Sequence, residues 1–167
     1  ARCFFQGHRG LLTRLIDVAI GPWQGETAFD LYGGVGLFSL PLSRRYAHAV
    51  AVEGDQVAAR FARINTRRNR VGNLECVSNA VETWVAALPA GASRVIVDPP
   101  RGGLHTKVRE ALLTQKPERL TYVSCHPATL ARDLRHLAHG FAIESVVFLD
   151  LFPQTGHLEA VVQLVRG

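Results

Sequence analysis

The 167-residue chain has no methionine and only three cysteines, Cys3, Cys76 and Cys125. An odd, sparse count without metal-ligand spacing argues against a disulfide framework or a zinc site, and it points to a reduced, cytoplasmic setting. Long apolar runs are also missing. None approaches the roughly 18–20 residues that a membrane span needs, and Ala1-Arg2-Cys3-Phe4-Phe5-Gln6 lacks the longer apolar region of a secretory signal. No linker, internal repeat or low-complexity segment interrupts the chain, so residues 1–167 are expected to form one domain. Without methionine, and with Ala1 in first place, the chain reads as a fragment or a processed form.

What is present belongs to an ordinary globular protein: 47% apolar and 20% charged residues. Nineteen Lys+Arg against fourteen Asp+Glu give a formal charge of +5. That is compatible with a phosphate-bearing partner, because cationic surface releases counterions from nucleic acid, but it is not diagnostic of one. The densest basic run is Arg60, Arg63, Arg67, Arg68 and Arg70. Its spacing suggests the solvated face of a helix rather than a dedicated RNA groove.

Periodicity gives an alternation of strands and helices. Helices are expected over Gly10–Ile20, Leu37–Leu42, Gln56–Asn69, Ala80–Leu88, Thr106–Thr114 and Ala128–His139. Strands are expected over Thr27–Tyr32, Ala47–Glu53, Asn73–Val77 and Arg94–Asp98, then one ending at Cys125. Phe141–Asp150 and His157–Val165 close the chain as an antiparallel hairpin joined through Pro153-Gln154-Thr155-Gly156. The pattern predicts an α/β fold, a mostly parallel, doubly wound sheet.

In such a sheet, ligands bind beyond the carboxyl ends of the strands, and several chemistry-bearing residues fall there. Asp30-Leu31-Tyr32-Gly33-Gly34-Val35-Gly36 follows a strand and opens a helix, where backbone amides can meet a nucleotide-like ligand. Its spacing is not the dinucleotide fingerprint G-x-G-x-x-G. Glu53 ends the next strand about twenty residues on, suited to both hydroxyls of a ribose. Asp98 is presented by Pro99 and Pro100, which hold the chain extended and remove two amide donors. Such an aspartate can meet a ligand's ammonium group or a substrate base, or simply cap a rigid turn. Cys125 ends a strand just before a helix, a position that favours the thiolate and nucleophilic chemistry, although free cysteine is often core filler. Glu159 sits among Leu158, Ala160, Val161 and Val162. If buried there it would suit proton abstraction, whereas simple alternation would turn it outward.

Taken together, D-L-Y-G-G-V-G, V-I-V-D-P-P-R-G-G, Y-V-S-C-H-P-A-T-L-A-R-D-L and D-L-F-P-Q-T-G-H-L-E resemble the catalytic domain of the S-adenosylmethionine-dependent RNA uracil-5-methyltransferases. That family makes 5-methyluridine in transfer and ribosomal RNA. The resemblance runs nearly end to end and implies a seven-stranded Rossmann-like methyltransferase sheet in a cytoplasmic enzyme, expected to be monomeric and metal-free. It implies that Cys125 adds to carbon 6 of the target uracil and that Glu159 later removes the carbon 5 proton. Gln6, Tyr32, Gly34, Gly36, Glu53, Asn79 and Asp98 would contact the cofactor, and Gln6, Asp98 and Arg101 the RNA base. There are departures from the usual family pattern. Gly33 and Leu37 replace a cysteine and an asparagine in D-L-Y-C-G-x-G-N, and Asn79 replaces an aspartate. His126 stands where asparagine or aspartate is common, and His8 where asparagine is. Weaker cofactor binding is expected from these changes, and a degenerate cofactor- or RNA-binding module without turnover is the alternative. A methyltransferase acting on a small molecule or protein fits less well, since such substrates rarely need a thiol adduct. Relatives usually add an N-terminal RNA-binding barrel and a middle subdomain, which these residues do not include.

Overall fold

The computed structural model describes residues 9–150 and 158–167. Seven strands form a single sheet: β1 (Gly25–Leu31), β2 (Tyr46–Glu53), β3 (Leu74–Ser78), β4 (Arg94–Val97), β5 (Arg119–Ser124), β6 (Phe141–Leu149) and β7 (Glu159–Arg166). Their order is β3-β2-β1-β4-β5-β7-β6. The pairs among β1 to β5 are parallel, while β7 runs antiparallel to both β5 and β6. The expected doubly wound sheet with a terminal antiparallel pair is therefore present. The proposed Pro153–Gly156 connection lies outside the described residues.

Helices α1 (Arg9–Ile20), α2 (Ser39–Leu42) and α3 (Gln56–Arg68) cover one face. Leu15 and Ala19 of α1 and Leu42 of α2 pack there on Ala28, Ile96, Val123 and Val161. On the other face lie α4 (Val81–Trp84), α5 (Thr106–Gln115) and α6 (Pro127–Leu137). Val81, Val108, Leu112, Leu130 and Leu137 meet Phe29, Leu31, Val95, Val97, Leu120 and Tyr122 in a larger apolar cluster. Central strands buried from both sides read as continuous apolar runs, as in Val95-Ile96-Val97.

Two helices are shorter than periodicity suggests. Leu37 and Phe38 remain in turns, and α2 is a single turn around Pro41. The stretch from Val81 splits into α4 and a 3₁₀ turn, Val85–Ala87. Leu88 is already extended, at φ −62° and ψ 123°, as Pro89 demands of the residue before it.

At the amino ends of the strands, Arg94 is fully buried. It donates to Ala19 O at 2.9 Å and Gln163 Oε1 at 2.8 Å. The Arg94 and Arg119 guanidinium groups both lie over the Trp23 ring, 4.4 and 4.3 Å from its centroid, a pair of cation–π contacts. Burial pulls the Arg94 pKa down to about 10. This end of the sheet is a structural polar core, and the chemistry-bearing residues gather at the opposite end.

Candidate active site

Topology brings the proposed nucleophile and base together. β7 runs against β5, so its first residue lies at the carboxyl edge of the parallel strands. Ser124 pairs with Ala160 as the last rung of the ladder, so Cys125, just past the end of β5, and Glu159, the first residue of β7, both lie at this edge. Cys125 is partly exposed, whereas Glu159 is 4% exposed. Burial replaces the outward-facing alternative for Glu159, because β7 lies inside the sheet rather than at its edge.

The loop after β1 turns back sharply. Tyr32 has φ 68°, Gly34 54° and Gly36 100°, a left-handed run that glycine adopts without the strain other residues meet. A side chain at Gly34 would meet nothing within 4 Å, so open space lies over that backbone. At Gly33 a Cβ would come within 3.3 Å of Ala51 Cβ and Asp30 Oδ2. The fold has closed around the glycine that stands where the family usually has cysteine. Asn65 of α3 braces the loop from the side, donating to Val35 O at 2.9 Å.

Glu53 ties this loop to its neighbours. Its Oε2 accepts from the Gly34 amide at 2.8 Å and its Oε1 from the Asp55 amide at 2.7 Å. Its carbonyl accepts from the Asn79 amide at 3.0 Å, which draws the exposed Asn79 to the same corner. Each carboxylate oxygen keeps further acceptor capacity, so Glu53 can still receive two hydroxyls. The Tyr32 hydroxyl donates to Glu82 at 3.3 Å. Burial first, and the Glu82 charge second, raise its pKa.

Three carboxylates share the edge. Asp30 is fully buried, and no donor satisfies either of its oxygens. Ser39, also buried, has a hydroxyl outside full hydrogen-bond geometry but close enough to lower the Asp30 pKa, while the Glu53 charge raises it. Burial pushes Asp30 up to about 7, against the lowering effect of Ser39. Asp98 follows β4 and is pushed up to about 8, chiefly by burial and then by the charges of Glu159 and Asp30. At neutral pH Asp98 therefore tends to hold a proton and to act as a donor, until a cation displaces it. Sequence reasoning singled out Asp98 and Glu159 but not Asp30, although a carboxylate closing the apolar run Ala28-Phe29 was its signal.

The Pro99–Leu104 loop, which carries Arg101, is fastened to α6 behind Cys125. Thr129 Oγ1 donates to Arg101 O at 3.1 Å, and Arg132 Nη2 to Gly102 O at 2.9 Å. The Arg101 side chain itself is exposed. His126 caps α6 through its ring nitrogen, which accepts from the Thr129 amide. Asp133, fully buried, is the hub. Its Oδ2 accepts from the Leu104 amide and the Tyr122 hydroxyl, each at 2.7 Å. Its Oδ1 accepts from Arg109 at 3.0 Å and Arg132 at 2.9 Å. Gly103, at φ 77°, has to be glycine, since a Cβ would lie 2.5 Å from Asp133 Oδ2. Sequence reasoning missed Asp133, although it occupies a core position in the spacing Leu130-Asp133-Leu134-Leu137.

The structure thus gathers Glu53, Gly34, Gly36, Tyr32 and Asn79 on one side of the edge and Asp98, Cys125 and Glu159 on the other. Gln6 lies outside the described residues. Among the described residues no cluster of His, Cys, Asp and Glu could hold a metal ion, and no helix is long and apolar enough to cross a membrane.

A seven-stranded sheet of this order with an antiparallel seventh strand, and a glycine loop facing an acidic β2 end, is the class I methyltransferase fold. The family profile described as tRNA (Uracil-5-)-methyltransferase matches residues 1–167, and the chain belongs to that family. It is 38% identical to a tRNA (uracil(54)-C(5))-methyltransferase of Pyrococcus horikoshii, over 97% of this chain and 38% of that protein. It is 39% identical to the 23S rRNA (uracil(1939)-C(5))-methyltransferase RlmD of Xylella fastidiosa, over 95% of this chain and 37% of that protein. Among solved structures, the Pyrococcus abyssi tRNA (uracil-54, C5)-methyltransferase in complex with S-adenosyl-L-homocysteine superposes with a TM-score of 0.86 at 34% identity. That match covers 98% of this chain and 40% of the other. The chain spans well under half the length of these relatives.

Proposed function

We propose that this domain transfers a methyl group from S-adenosylmethionine to carbon 5 of a uridine in transfer or ribosomal RNA, through a covalent adduct on Cys125. The observation that carries the proposal is the β5–β7 register, which ends at Ser124 and Ala160 and so leaves Cys125 and a buried Glu159 at one sheet edge, where the Glu159 charge also reaches Asp98. Family membership and the Pyrococcus abyssi complex support the choice of cofactor and of RNA.

The residues present fit the cofactor. The open backbone over Gly34 admits a ligand, Glu53 has acceptor capacity for ribose hydroxyls, and Asn79 stands at the same corner for the adenine. Asp30 and Asp98 form an acidic wall suited to a cationic ligand. When bound, S-adenosylmethionine supplies an electrophilic methyl group.

Carbon 5 of uracil is a weak nucleophile until carbon 6 is attacked. The Cys125 thiolate would form an Sγ–C6 bond, moving the C5=C6 electron pair toward carbon 5 and the adjoining carbonyl. Once carbon 5 carries its methyl group, Glu159 takes the carbon 5 proton. The C5=C6 bond re-forms as the Sγ–C6 bond breaks, and Cys125 leaves as thiolate. RNA containing 5-fluorouridine tests this, because fluorine cannot be removed as a proton and the adduct persists. A denaturing gel should show a protein–RNA band that Cys125→Ala abolishes. A band that survives in the variant would sink the mechanism.

A further inference from the structure

We propose that the exposed face of α3 is a second RNA contact, a row of arginines that grips the phosphate backbone away from the uridine site. The inference rests on the reading of RNA as substrate. A solvated basic helix needs no partner in general, but three observations set this one apart.

First, its charge is uncompensated. Arg60, Arg63 and Arg67 are all exposed and, at i, i+3 and i+7, line one stripe about 10 Å long. Arg68 lies beside them. The helix contains no acidic residue, and its N-cap Asp55 is engaged by the Ala58 amide at 2.8 Å. Glu75 of the adjoining strand shares a sheet face with its partner Val50, which packs in the cluster under α4 to α6, opposite α3. The ion pairs among the described residues use Arg109, Arg119 and Arg132, and none involves α3. Second, the row runs alongside exposed apolar surface. Val57 is 53% and Phe61 38% exposed on the same solvent side, and an exposed ring next to arginines suits stacking with a nucleobase or sugar. Third, the surface continues past the helix. On the flank of α3 away from the row, past Phe61 and Arg68, a cleft of about 300 Å³ opens between Asn65 and Asn69 and the Val35–Leu37 loop, with Arg44 at its border.

Phosphates follow one another at about 3.4 Å of axis along one strand of a double helix, so a stripe of this length spans about three of them. The amino end of α3 lies just after Glu53, so the row leads away from the cofactor corner. A folded RNA could lie along it while a uridine reaches Cys125.

The test is fluorescence anisotropy with a fluorescein-labelled RNA hairpin carrying uridine in its loop, titrated over about 0.05–0.2 M NaCl, the range in which phosphate contacts show their salt dependence. Arg60→Gln/Arg63→Gln/Arg67→Gln is compared with Lys107→Gln/Lys116→Gln/Arg135→Gln, which removes the same charge from exposed positions on the opposite layer. At about 0.9 per duplex phosphate contact, losing three contacts should reduce the slope of log K against log salt by about 2.7 and weaken binding about 500-fold at 0.1 M NaCl. The control should retain most of the slope and affinity. Equal losses in both variants would reduce the effect to net charge and overturn the proposal, as would no loss in either. Retained hairpin binding with no α3 effect leaves the RNA reading standing. A wild-type chain that ignores the hairpin at low salt overturns both.

Discussion

Asp133→Asn should cost this domain about 3–5 kcal/mol of stability, the range for breaking a buried charged pair on one side. The structure shows why a near-isosteric change is so severe. The two oxygens of Asp133 divide four donors, Leu104 N and Tyr122 OH on one, Arg109 and Arg132 on the other. An asparagine has one oxygen, so in either amide orientation its NH₂ faces two donors. If it faces the Leu104 amide and the Tyr122 hydroxyl, two buried groups lose their acceptor at about 1–3 kcal/mol each. The Arg109 guanidinium keeps only a neutral partner. Gly103 adds to the difficulty, since the packing that requires glycine there leaves little room for relaxation. Urea unfolding followed by circular dichroism, with linear extrapolation, measures the change. At about 2–4 °C per kcal/mol for a domain of this size, the melting temperature should fall by about 10 °C. Because Asp133 also fixes the loop after Asp98 to the helix after Cys125, fluorouridine adduct formation should slow by more than the loss of folded protein accounts for. A stability loss under about 1 kcal/mol would refute the hub assignment.

Two further outcomes are expected. The carboxyls of Asp30 and Asp98 are raised from 3.8 to about 7 and about 8, so the folded state holds protons that the unfolded chain releases. The associated stability is complete below about pH 4 and is lost as pH rises through about 7–8, with each pKa unit worth about 1.4 kcal/mol. Urea midpoints between about pH 5 and pH 9 should therefore fall toward the alkaline side, and Asp98→Asn should flatten the decline; a wild-type profile without that fall would count against the raised carboxyls. Separately, Glu53→Ala should weaken S-adenosylmethionine binding at least about tenfold in calorimetry, equivalent to about 1.4 kcal/mol. Equal affinity in the two proteins would remove Glu53 from the cofactor site.

How much of this was legible beforehand varied by residue. Strand–helix alternation and breaker pairs such as Gly21-Pro22 located the seven strands to within a few residues, because a sheet buried on both faces writes itself as short apolar runs. Glu53 and Cys125 were readable because a polar residue closes such a run. Glu159 was not readable from its strand alone. An alternating pattern cannot say whether a strand is interior or at an edge, and only pairing with both β5 and β6 buries this carboxylate. Asp133 carried a local signal, an acid at a core position of α6. Its partners Leu104 and Arg109, however, lie 29 and 24 residues away, beyond the reach of any periodicity. The shortening of α2 and α4 reflects Pro41 and Pro89, whose presence was visible though not how far each would cut its helix.

One corner of the sheet bears on how a ligand would be received. The Glu53 side chain holds the Gly34 and Asp55 amides, its carbonyl holds Asn79, and the Gly33 amide donates to Val52 O at 3.0 Å. The segments after β1, β2 and β3 are knotted together by one residue and its neighbour. Fixing a backbone residue costs about 1–2 kcal/mol of conformational entropy, and here that cost is met during folding rather than at the moment of encounter. A ligand arriving at this corner meets a surface already in shape, so its contacts can go to affinity and orientation instead of ordering the chain. The carboxylate proposed to receive the guest also keeps the room furnished before it comes.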